Sequence, residues 1–146
     1  MPKPTINRSL GYHPGVAWGG PLPGGGYEGS TRKLDQVVAA SAKALQRLFR
    51  TDVEIRFNSN QESGGAWLVQ PAMNNAGIGI TAGHHYNIEK KKHTRRIWIR
   101  IYVKAPFLKD LALVNDRDMA YITTASVAYA IKWMKTNVTL DIRPTP

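Results

Sequence analysis

Lys-Lys-Lys-His-Thr-Arg-Arg-Ile-Trp-Ile-Arg-Ile-Tyr-Val-Lys, residues 90–104, is the stretch whose reading decides the fold. It opens as a basic run and becomes a strand. From 97 to 103 the positions alternate strictly. Period-two geometry puts Ile97, Ile99, Ile101 and Val103 on one face and Arg96, Trp98, Arg100, Tyr102 and Lys104 on the other. The isoleucine face is core. The opposite face interleaves cations with two aromatic rings, a composition that neutralises phosphates and stacks bases. The same face also suits the underside of a helix or a neighbouring subunit.

The charge of the whole chain has its centre here. The 146 residues carry 20 Lys and Arg against 10 Asp and Glu, a net charge of +10. Between 89 and 104 there are seven Lys or Arg and one Glu, so most of the excess lies in about a tenth of the chain. Such a balance favours nucleic acid, an acidic protein or another anionic surface as partner. The bland alternative is a solvated loop whose charge aids solubility.

Cysteine is absent, which excludes disulfides and thiolate chemistry. No stretch has the length of an apolar membrane span, and residues 1–10 lack the apolar segment of a secretory signal. A soluble protein of the host-cell cytoplasm or of a virion, with no membrane contact and no cofactor, is the expectation.

Outward from the strand, residues 1–30 are a different material, with 5 of the 9 prolines and 8 of the 13 glycines. No regular helix or strand is expected there. Aromatic residues punctuate it, and Tyr12, Trp18 and Tyr27 read as docking points of an extended N-terminal arm. Residues 31–146 read as a single domain.

Within that domain, residues 31–50 carry Leu34, Val37, Val38, Ser41, Leu45, Leu48 and Phe49 at helical spacing, with Ser30 or Thr31 as N-cap. Arg32 and Lys33 crowd the positive end of that helix dipole, an arrangement an anion would relieve. Residues 51–58 alternate as a strand, and 66–70 form a short apolar strand. In 72–86, Gly77, Gly79 and Gly83 mark a bulge, a mobile loop or the close approach of another chain. Asn115 or Asp116 is expected to cap a second helix running to Lys135. Its apolar residues occupy most of the circumference, as in a helix buried on two sides by the fold or a partner subunit. Residues 138–143 read as a closing strand. The sum is an α+β fold, a single sheet of about four mostly antiparallel strands packed with two helices, plus the arm.

Chemistry is sparse. His84, His85 and His93 lie near the basic run, but adjacent residues on an extended chain point apart and rarely share a metal ion, so no metal site is expected. Cleavage of RNA through its 2′-hydroxyl needs a base, an acid and a cation. His84, His85, His93, Arg95, Arg96 and Tyr102 supply those types. Helix followed by strands also resembles the small toxin-type ribonucleases.

The layout of helix 31–50, strand 52–58, loop-rich middle, long strand ending in Ala105-Pro106, helix 116–135 and strand 138–143 resembles the small neck and tail-terminator proteins of tailed bacteriophages. The resemblance covers residues 31–143 and is one of organisation. It implies a ring-forming virion component whose arm and loops grip neighbours. Three expectations follow in order. The first is a non-enzymatic, homo-oligomeric structural or assembly protein with a basic interface. The second is a stand-alone DNA- or RNA-binding domain using Arg96, Trp98, Arg100, Tyr102 and Lys104 with Lys90, Lys91, Lys92 and Arg95. The third is the ribonuclease.

Overall fold

The computed structural model describes residues 5–7, 33–57, 62–69 and 77–140. Element order is β1 (Thr5–Asn7), α1 (Leu34–Phe49), β2 (Val53–Phe57), β3 (Ser63–Leu68), β4 (Ile78–Asn87), β5 (Lys92–Lys104), β6 (Met119–Thr124) and α2 (Val127–Asn137). The sheet runs in sequence order from β1 to β6. Strands β2 to β6 form an antiparallel meander, and β1 adds in parallel at the β2 edge. An α+β fold with two helices is what the alternation and helical spacing called for.

Four local expectations change. A strand persists within the arm at 5–7, a segment free of Pro and Gly whose backbone finds partners along β2. The glycine-rich segment is a strand from Ile78, regular past Gly83 and with a register shift only between His84 and Tyr86. The second helix starts at Val127, because 119–124 pairs with β5 instead. Tyr121, Ile122, Thr123 and Thr124 are aromatic or β-branched, and strand pairing suits them better than a helix does. A strand buried on both faces, joined to a short helix, had mimicked one helix apolar all round. The cap is therefore Ser126, whose Oγ accepts from the Tyr129 amide at 3.1 Å, and Asp116 sits in the tight turn before β6. Finally, of the expected closing strand 138–143, Val138 makes an isolated antiparallel bridge to Leu108, 139 and 140 join no strand, and 141–143 lie outside the described residues.

Helix α1 begins at Lys33 without a side-chain cap and ends at Arg50 in the left-handed conformation. A missing cap costs about 1 kcal/mol. Burial of Leu34, Val37, Val38, Leu45 and Phe49 contributes about 1.5–3 kcal/mol each and outweighs it. With Ala130 and Met134 of α2, these side chains cover Ile55, Leu68, Ile80, Ile97, Ile99 and Ile101 in one core. Helix α2 buries only Ala130 and Met134 fully, so it is amphipathic and one-sided.

The other sheet face has its own cluster of Trp67, Tyr102, Met119 and Tyr121. Register explains the glycines: Trp67 is paired with Gly79, and Trp98 with Gly83. A Cβ on Gly79 would run into the Trp67 indole, and one on Gly83 into the Trp98 indole. The close approach that glycine permits is thus within the chain. At the β6 edge, the Asn115 side chain accepts from the Tyr121 amide at 2.8 Å and donates to its carbonyl at 3.0 Å. Part of an edge that would recruit another strand is thereby occupied.

Candidate functional site

The β4–β5 hairpin carries the basic run to one end of the sheet. Its turn is shaped by Lys91 at φ 52° and by the Lys90 amide donating to Asn87 Oδ1 at 2.9 Å. Lys90, Lys91, Lys92, Arg95 and Arg96 are all exposed. Among the described residues, Lys90, Lys91, Lys92 and Arg95 enter no ion pair. Lys90, Lys92 and Arg95 join Lys33, at the start of α1, around an open groove of about 1030 Å³. The crowded positive end of α1 therefore meets the basic hairpin, and cations from two distant stretches converge.

Three groups at the back of this groove, Glu62, His84 and His93, also line a second hollow of about 370 Å³. Glu62 Oε2 lies 2.7 Å from His84 Nδ1 and 3.8 Å from His93 Nδ1. Backbone pairing sets this up, since the His84 amide donates to the Glu62 carbonyl at 2.8 Å. His93 pairs across the hairpin with Tyr86, and their rings meet edge to face at 5.1 Å. Tyr86 is 52% exposed.

A register shift between His84 and Tyr86 breaks the alternation of β4, a device that re-aims side chains. His84, His85 and Tyr86 consequently border one hollow, where a regular strand would have sent neighbours to opposite faces. Burial first, then the positive charges of Arg100 and Arg96, lower the pKa of His85 below its ordinary value. Among the described residues no group of three or more His, Cys, Asp or Glu is arranged to hold a metal ion.

The Arg96-Trp98-Arg100-Tyr102-Lys104 face does not act as one platform. Tyr102 is 4% exposed, packed edge to face against Trp67 at 4.9 Å and Tyr121 at 6.2 Å. It closes the second core and offers no ring to a base. Burial, followed by Asp116 and Tyr121, raises its pKa. Trp98 is half-buried, with the Arg100 guanidinium 4.2 Å from its ring centre. Among the described residues Arg100 Nε is buried without a partner, and its Nη1 stands at 3.5 Å from the Tyr121 hydroxyl. Lys104, twelve residues from Lys92 along the strand, lies about 40 Å away and cannot share the hairpin groove.

Tyr12, Trp18 and Tyr27 lie outside the described residues. Glu62 is the site residue that sequence reasoning missed. It stands 22 positions before His84 in a polar link, with no spacing signal, and only the β3–β4 register brings it in.

No family model matches the chain, and neither a curated protein nor a solved structure does. No described helix is long and apolar enough to cross a membrane.

Proposed function

We propose that the protein binds nucleic acid, with the β4–β5 hairpin and the start of α1 as its grip. One observation carries this: Lys33, Lys90, Lys92 and Arg95 converge on an open groove without ion-pair partners among the described residues. Cations brought together in this way repel one another, and a polyanion relieves that repulsion while releasing its own counterions. The exposed ring of Tyr86 beside the groove adds a surface for an unstacked base. The binding site is thus the hairpin end of the sheet rather than the length of β5.

The test is direct. The 146-residue chain should bind single-stranded RNA or DNA with an affinity that falls steeply with salt. Charge reversal at Lys90, Lys92 and Arg95 should abolish binding while the fold, followed by circular dichroism, is kept. Binding indifferent to salt and to those reversals would remove the proposal.

The assembly reading, a homo-oligomeric virion component of neck or tail-terminator type, keeps fewer supports. The glycine segment accommodates tryptophans of the same chain, α2 is one-sided, and Asn115 occupies part of the β6 edge. Its remaining argument is the arm. A particle mass that is a fixed multiple of 16.2 kDa without nucleic acid would favour it again.

A further inference from the structure

The groove floor holds chemistry that binding alone does not use. We propose that Glu62, His84 and His93 form an acid–base site that cleaves RNA by transferring the phosphate to the adjacent 2′-hydroxyl. This inference rests on the nucleic-acid reading of the same groove.

The geometry assigns the roles. Glu62 Oε2 at 2.7 Å from His84 Nδ1 accepts a hydrogen bond from that nitrogen, which fixes the tautomer and leaves Nε2 with a free lone pair. His84 is the general base. His93 points its own Nδ1 towards the same carboxylate at 3.8 Å, its ring steadied by the edge contact with Tyr86, and Nε2 is again the atom left for a ligand. His93 is the general acid. Both side chains are partly open to solvent, at 28% and 38%, so a substrate can reach them. Lys92 and Arg95 line the groove and Arg100 lines the smaller hollow that shares Glu62, His84 and His93 with it, so cations border the site and can offset the negative charge that a phosphorane gains.

The step balances within this set. His84 takes the proton of the 2′-hydroxyl, the 2′-oxygen forms a bond to phosphorus, and the bond from phosphorus to the 5′-oxygen breaks. His93 gives its proton to that leaving oxygen. The products are a 2′,3′-cyclic phosphate and a 5′-hydroxyl, and no co-reactant enters. Glu62 touches neither oxygen and is a positioning residue.

The experiment uses the full chain, a 5′-labelled single-stranded RNA and an excess of chelator, with affinity and single-turnover cleavage measured on the same samples. Cleavage to a cyclic phosphate is expected, with none where the attacked nucleotide lacks its 2′-hydroxyl. His84→Asn and His93→Asn should each slow it by about 10²-fold or more with affinity retained. Glu62→Gln should lower the rate constant without weakening binding, since it removes a negative charge from the groove, a split that a merely structural role would not produce. Should His84→Asn unfold, His93→Asn on the exposed hairpin still decides the matter. RNA bound but left intact overturns this inference and spares the binding proposal. RNA neither bound nor cut overturns both. Cleavage that survives the two histidine substitutions also overturns it.

Discussion

Gly79 and Gly83 show how single atoms position the rest. Each lies opposite a tryptophan, and the missing Cβ is the space the indole fills. Gly79→Ala and Gly83→Ala are expected to cost about 1–3 kcal/mol each, as overpacking does, measured by chemical denaturation. Gly83→Ala should also displace Trp98 and change its fluorescence. From sequence, these glycines read as a bulge, a mobile loop or contact with another chain, because nothing local says that a tryptophan 12 or 15 residues away lies across the sheet. Glu62 is legible only in three dimensions for the same reason. His85 gives the pH prediction. Its native pKa lies below 6.5, so above that pH the ring is neutral in both states and has no effect. As pH falls from 6.5 towards the lowered native value, the unfolded chain takes the proton first and stability is lost. The melting temperature of the wild type should therefore drop more between pH 7 and pH 5 than that of His85→Asn. Parallel curves would refute that assignment.

At the scale of elements, α1 and the alternating part of β5 were readable because each buries one face, which leaves a clean period in the sequence. Residues 119–124 were not. Met119, Ala120, Tyr121, Thr123 and Thr124 are all buried, so alternation is lost, and the apolar run merges with α2 behind it. The signal that separates them is Ser126, a good N-cap that interrupts the apolar run. Ser126→Ala should cost about 1 kcal/mol through loss of the bond to the Tyr129 amide. Asp116→Ala should leave the helix content, read by circular dichroism, unaltered. A helix that shortens with the second substitution and ignores the first would mean the start of α2 is misplaced.

For the whole molecule, the excess of positive charge was plain in the sequence, but the surface that collects it was not. Reading β5 alone placed the interface along Arg96, Trp98, Arg100, Tyr102 and Lys104. Folding encloses Tyr102, stacks Arg100 on Trp98, sends Lys104 to the far end and adds Lys33 from α1 to the hairpin cations. The decisive measurement is the salt dependence of single-stranded RNA affinity, for the wild type and for Lys90→Ala/Lys92→Ala/Arg95→Ala. With about 0.7 counterions released per neutralised phosphate, removing three cations should reduce the slope of log affinity against log salt by about 2. A triple variant with the wild-type slope and affinity would contradict a hairpin grip on nucleic acid.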